Sequence, residues 1–194
     1  MQQSIIDEIS SIVSGLEKLK EAAADVEKIV QICTAALKNG NKILFCGNGG
    51  SAAQAQHLAA ELVGRYKMER RALAALSLTV DTSDITAIGN DYGYDDIFRR
   101  QLEGLGKAGD VLIGLSTSGN STNVIRAFEL ARSMGIRTVA FSGEGGGKMK
   151  TLADICLSVP SNQTNHIQEM HITIGHIVCG LVEKNMAEEI HHAS

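Results

Sequence analysis

The sequence predicts an α/β protein: a three-layer α/β/α sandwich on a five-stranded parallel sheet, with an extra helical pair ahead of it. Short apolar runs alternate with helical patterns from residue 41 onward, the arrangement of a parallel sheet covered on both faces. The five strand candidates are apolar throughout, and the one proline, Pro160, falls between the last strand and the last helix, where a stop is wanted. No repeat, linker or low-complexity tract interrupts the pattern. One domain over 1–194 is expected, with 1–40 as oligomerisation helices and 41–194 as the core.

Residues 3–38 read as two helices. Ile5, Ile9, Ile12, Leu16 and Leu19 recur at helical spacing, as do Val26, Ile29, Val30, Cys33 and Leu37, and Asn39-Gly40 ends the second. Strands follow at 42–46, 73–78, 110–115, 136–141 and 154–159. Helices follow at 51–65, 82–89, 95–105, 121–134 and 164–188. The N-terminal stripes are wide for a five-stranded core to bury. Ile172, Ile174, Ile177, Val178 and Leu181 make the last helix apolar on nearly every side. Helices of this kind find a partner subunit, so a homo-oligomer is expected.

Bulk properties narrow the function. Hydrophobic residues make up 44% of 194 residues, which describes a globular domain with a substantial core. The net charge of −4 gives no overall field for nucleic acid or a membrane. The basic cluster Arg65, Lys67, Arg70 and Arg71 reads as a solvated helix end. Four cysteines (Cys33, Cys46, Cys156, Cys179) form no CxxC pair and sit in apolar runs, as buried free thiols of a reducing compartment do. No signal peptide or membrane span is expected, and the default location is cytoplasmic.

Two loops carry the chemistry. GNGGSAAQAQ (47–56) follows the run KILF, and LSTSGNSTN (115–123) follows DVLIG; each leads directly into a helix. Both are rich in Gly, Ser, Thr and Asn and contain no Lys or Arg. Backbone N–H groups and hydroxyls at a helix N-terminus suit a phosphate held by neutral donors. The first loop fits the loose pattern GxGxxA, but the strand at 73–78 does not end in the acid that a dinucleotide ribose requires. There is no GxxxxGK[ST], which argues against a nucleoside triphosphatase. The second loop places Ser116, Thr117, Ser118 and Ser121 within six residues, where an N-cap needs only one hydroxyl.

His57 and Glu61 lie four apart on the helix after the first loop, hence on one face. They form a surface ion pair, a shared metal site or an acid–base pair. In the last helix, Gln168, His171 and His176 are polar residues in an apolar segment, as core histidines or as ligands. Asn90-Asp91 is a polar turn, either a helix stop or a contact for sugar hydroxyls.

These segments together resemble the sugar isomerase (SIS) domain, a flavodoxin-like fold, and within it the phosphoheptose isomerases. The similarity rests on CGNGGSAA (46–53), QHLAAELVGRY (56–66), AIGNDYGYDDIF (87–98), GLSTSGNSTNVI (114–125), SGEGGGKM (142–149) and IQEMHI (167–172) followed by His176. The resemblance implies an aldose–ketose isomerase that converts sedoheptulose 7-phosphate to D-glycero-D-manno-heptose 7-phosphate for bacterial surface polysaccharide. It implies a homotetramer with interfacial active sites and one Zn2+ per subunit. The substrate would be held by Asn48, Gly49, Gly50, Ser51, Asn90, Asp91, Ser116, Thr117, Ser118, Ser121 and Gln168, with Arg65 a further contact. His57, Glu61, Gln168 and His176 would be metal ligands, with Glu61 and His176 also the base and acid. Gln168 and His176 are eight residues apart, about 12 Å along a helix, which favours a ligand set drawn from two chains. Where the family commonly carries Arg before IQE, this chain has His166 after Asn165. The alternatives are a non-enzymatic adaptor of the kind that binds the bacterial replication initiator, and a SIS protein for another sugar phosphate. The adaptor lacks the helix carboxylate and the late histidine that this chain has.

Overall fold

The computed structural model describes the backbone of residues 1–192 and the side chains through residue 187. The five strands are β1 (Ile43–Gly47), β2 (Ala75–Ser77), β3 (Val111–Ser116), β4 (Arg137–Ser142) and β5 (Ile155–Ser158). They form one parallel sheet in the order β2-β1-β3-β4-β5. Every residue of β1 and β3 is buried, which explains their uninterrupted apolar sequence. Alternate side chains feed two cores: Ile43 and Phe45 point to one, Leu44 and Cys46 to the other.

The first core is closed by α2 (Ala23–Lys38), α3 (Gly50–Val63) and α8 (Thr164–His192) through Ile29, Cys33, Leu58, Leu62, Ile174 and Val178. The second is closed by α4 (Thr82–Asp91), α5 (Ile97–Leu105), α6 (Thr122–Ser133) and the short α7 (Met149–Leu152), using Phe98, Leu102, Val124 and Phe128. The winding reverses between β1 and β3. In sheets of this order the crevice above that reversal, at the carboxyl ends of the strands, is where ligands bind. The loops singled out in the sequence open there.

The N-terminal helix α1 (Gln2–Lys18) buries none of its residues in this chain. Ile12 and Leu16 lean on the first core, whereas Ile5, Ile9 and Val13 are more than half exposed. An open apolar groove of about 750 Å³ runs between α1, α2 and α8, lined by Leu16, Leu19, Val26, Val30, Ile177 and Leu181. It is lined by no residue of the two loops.

Several boundaries move. Strand β2 keeps three residues of an expected six, although Leu73 and Leu78 beside it are buried. Helix α4 extends through Asp91, so Asn90 and Asp91 belong to its last turn rather than to a turn beyond it. Helix α7 was not anticipated, because four residues carry no readable period. The basic cluster is not wholly solvated: the Arg70 side chain is 1% exposed against Glu183, equally buried on α8. Three cysteines are buried, Cys156 is half-buried, and all four are free. Burial pushes the Cys46 thiol up to about 12 and raises Cys33 further, so both stay protonated.

Candidate active site

Strand β1 ends in Gly47, and the chain turns through Asn48 and Gly49 into α3. Gly49 holds φ at 54°, open to glycine and costly for a side chain. The N–H groups of Gly49 and Gly50 donate to no acceptor among the described residues. They stand at the positive end of α3, ready for an anion. Ser51, in the first turn of the helix, is buried.

The second loop is built the same way after β3. The hydroxyls of Ser116 and Ser121 lie 2.8 Å apart, and Ser118 Oγ accepts from the Asn120 N–H at 3.1 Å. Ser121 is the N-cap residue of α6, yet its hydroxyl does not cap the helix. The hydroxyl cluster is therefore not explained by capping. The glycine-rich segment after β4 braces this loop from behind. Gly119 packs backbone to backbone on Gly146, too close for a side chain, and Met149 donates back to the Gly119 carbonyl at 3.0 Å. SGEGGGKM carries no role of its own in the sequence pattern beyond its part in the family resemblance; its three successive glycines are the signal for a close backbone approach.

A pair of amides joins the two loops. Asn48 Nδ2 donates to Asn123 Oδ1 and Asn123 Nδ2 to Asn48 Oδ1, each at 2.9 Å. The Tyr94 hydroxyl donates to the same Asn48 oxygen at 2.9 Å. The Asn48 side chain is thus committed to architecture. Asn123 and Tyr94 were not read from the sequence as site residues. Asn90 donates to Asp91 at 2.8 Å, and Asp91 lines a shallow cleft with Tyr92 and Arg100. No hydrogen bond among the described residues joins Asn90 or Asp91 to the two loops.

Two turns along α3 the chemistry changes. His57 Nε2 lies 2.9 Å from His176 Nε2 and 3.1 Å from Glu61 Oε1. One donor atom from each of the three falls within 4.8 Å of the others. Two imidazoles and a carboxylate converging in this way fit a zinc-type ligand set. Tyr66 stacks on the His176 ring at 5.5 Å, 10° from parallel. His176 is half-buried and Glu61 is 19% exposed in its side chain, so the cluster is open on one side. These three come from one chain, and Gln168, the fourth expected ligand, does not join them.

Gln168 sits apart from them. Its side-chain amide covers Gly50, and its carbonyl accepts from Gln54 Nε2 at 2.6 Å. That position is at the phosphate-loop end of α3, roughly 10 Å along the helix from His57. Arg65 is exposed just past α3 and makes no ion pair among the described residues. His171 is wholly buried against Phe141 with neither ring nitrogen hydrogen-bonded. Burial lowers its pKa to about 4, only partly offset by the nearby Ser142 backbone, so it is a neutral core residue. His166 Nε2 and Asn165 Nδ2 each contact Glu8 Oε1 of α1, at 2.9 and 3.0 Å. The departure from the family's usual Arg therefore pins α1 to α8. The tail histidines His191 and His192 have side chains outside the described residues.

A family model for the SIS domain matches residues 6–143. The phosphoheptose isomerase of Akkermansia muciniphila is 60% identical over 186 residues, covering 96% of this chain and 98% of its own length. This chain belongs to the phosphoheptose isomerase family of SIS domains. The family member from Aliarcobacter butzleri is 54% identical over 188 residues, across 96% of this chain and its own full length. The solved phosphoheptose isomerase GmhA from Neisseria gonorrhoeae superposes with a TM-score of 0.90 at 41% identity, over 94% of this chain and 98% of that one. The family assignment fits two loops of Gly, Ser, Thr and Asn together with a carboxylate and paired imidazoles. A non-enzymatic adaptor has no need of the last three.

Proposed function

We propose that the chain interconverts sedoheptulose 7-phosphate and D-glycero-D-manno-heptose 7-phosphate, supplying heptose for bacterial surface polysaccharide. The observation that carries this reading is the meeting of His57 and Glu61, on the helix that starts at the first loop, with His176 of α8.

In this reading the phosphate is held by the Gly49 and Gly50 N–H groups, the Ser51 side chain and the hydroxyls of Ser116, Thr117, Ser118 and Ser121. Gln168 adds a contact beside Gly50, and Arg65, Asn90 and Asp91 border the sugar. Glu61 takes a proton from C1 of the ketose, and His176 delivers one to the carbonyl oxygen at C2. Glu61 then returns its proton to C2 while His176 takes the proton from the O1 hydroxyl, so that C1 becomes the aldehyde and both side chains are restored. His57, Glu61 and His176 would hold a zinc ion, which when bound supplies a Lewis acid for enediolate charge. A carboxylate engaged by a cation is a weaker base, so Glu61 would serve as the base only when free of the ion.

Assembly belongs to the same reading. Exposed Ile5, Ile9 and Val13 and the groove bounded by Ile177 and Leu181 are the faces that further copies cover in a homotetramer. Four free cysteines fit a reducing cytoplasm. Among the described residues no helix is long and apolar enough to cross a membrane.

Proton NMR of sedoheptulose 7-phosphate with the purified protein tests the proposal. An aldoheptose signal that grows with time supports it. Binding without turnover, in zinc-loaded and zinc-free protein alike, contradicts it.

A further inference from the structure

We infer that Tyr66 is a positioning residue for His176, and that the buried pair of Arg70 and Glu183 exists to hold Tyr66 in place. The inference rests on the reading of His176 given above.

The segment after α3 leaves the helix at Gly64 and runs over α8 before reaching β2. It has no regular structure of its own, so its backbone N–H groups need partners from elsewhere. Glu183 supplies them. Its carboxylate is fully buried and accepts from the N–H groups of Tyr66, Lys67 and Met68 at 2.9, 2.7 and 3.0 Å. Arg70 Nε lies 3.1 Å from the same carboxylate, an ion-pair contact bent away from hydrogen-bond geometry. The Arg70 guanidinium also donates to the carbonyls of Gly64, Arg71 and Glu61 at 2.9 to 3.0 Å. One ion pair thus grips both the segment and the turn of α3 that carries Glu61.

The face of α8 beneath the segment is shaped for the ring. His176, Gly180 and Glu183 are spaced i, i+4, i+7 and share one stripe. A side chain at Gly180 would bring its Cβ to 3.1 Å from Tyr66 Cε1, so glycine there makes room for the tyrosine. The ring then lies flat on the His176 imidazole, and the Lys67 ammonium stands 4.9 Å from its centroid. His57 meets His176 edge-on at 76°. Between these two contacts the imidazole plane is fixed, and its Nε2 faces His57 and Glu61. A buried carboxylate that holds three consecutive amides and the Arg70 guanidinium fixes in place what that segment carries.

The test compares Tyr66→Phe, Tyr66→Ala and Glu183→Gln. In zinc-free protein the ring-current shift places the His176 ring protons upfield. Tyr66→Phe keeps that shift, and Tyr66→Ala abolishes it. In the isomerase assay Tyr66→Ala lowers kcat about 10-fold or more with KM nearly unchanged, because a displaced acid is felt mainly after binding. Tyr66→Phe stays within about 2-fold of wild type. Glu183→Gln lowers the melting temperature and, where it folds, loses the His176 shift in part. An unchanged His176 shift and unchanged kcat in Tyr66→Ala overturn the inference. Equal loss in Tyr66→Phe and Tyr66→Ala also overturns it, since the hydroxyl would then be the acting group. If wild-type protein does not isomerise the sugar, the functional reading falls, and the zinc-free NMR comparison still decides whether Tyr66 holds His176.

Discussion

His57 Nε2 faces His176 Nε2 at 2.9 Å although the two residues are 119 positions apart in the chain. Two neutral imidazoles at that distance share one proton; two that bind a cation share none. The pair is therefore a sensitive place to detect metal. Removal of either imidazole should cut zinc affinity by at least about 10-fold. Zinc content after dialysis of His57→Ala and His176→Ala, measured by atomic emission, checks this. Stoichiometric zinc in both variants would contradict the ligand assignment.

The amide pair of Asn48 and Asn123 joins the loop after β1 to the loop after β3. Asn123→Ala takes two of the three hydrogen bonds from the half-buried Asn48 amide and leaves that from Tyr94, at about 1–3 kcal/mol. The expected outcome is a lower melting temperature together with a raised KM for the sugar phosphate. A KM equal to wild type would show that the loops keep their register without the pair.

This link also marks where the sequence stops being legible. The sheet, its doubly covered character and both loops followed from local patterns, because apolar runs and Gly/Ser turns act over a few residues. The cluster of His57, Glu61 and His176 was half visible, as His57 and Glu61 lie one turn of helix apart. Bringing His176 to them is a tertiary event, set by α8 crossing α3, and in the sequence only the family resemblance placed it with them. Asn123, Tyr94 and Tyr66 looked like ordinary residues of a loop, a turn and a helix end. Their roles come from partners far away in sequence. Glu183 and Arg70 could not be paired from sequence for the same reason.

Acid should destabilise the protein in two stages. His171 has a folded pKa near 4, against 6.5 for a free imidazole, so the unfolded chain takes the proton first. Its effect is absent above the unfolded value and erodes stability as pH falls from about 6.5 to 4, by about 3 kcal/mol in all. Burial alone would raise the carboxyls of Asp110 and Glu183. Hydrogen bonds from Lys42 and Lys107, and from residues 66–68, outweigh it and lower both. Their contribution is intact above the ordinary carboxylate pKa and is lost as pH falls through the lowered one. Thermal melts of zinc-free protein between pH 7 and pH 4 check the first stage. His171→Leu should flatten that range, and an unchanged slope would contradict it.

The exposed stripe of α1 predicts that assembly is fragile to charge. Ile9→Glu places a carboxylate in the middle of Ile5, Ile9 and Val13, each more than half exposed in the single chain. Light scattering should report a smaller species than wild type at micromolar concentration. A wild-type mass would move the interface elsewhere.

In the proposed reaction Glu61 moves the proton. The most direct measurement is turnover of sedoheptulose 7-phosphate by Glu61→Gln, followed by proton NMR, with zinc content and sugar-phosphate binding recorded on the same sample. The account predicts binding within a few-fold of wild type and turnover reduced by at least about 100-fold. Near-wild-type turnover with zinc still bound would contradict it and leave Glu61 as a ligand only.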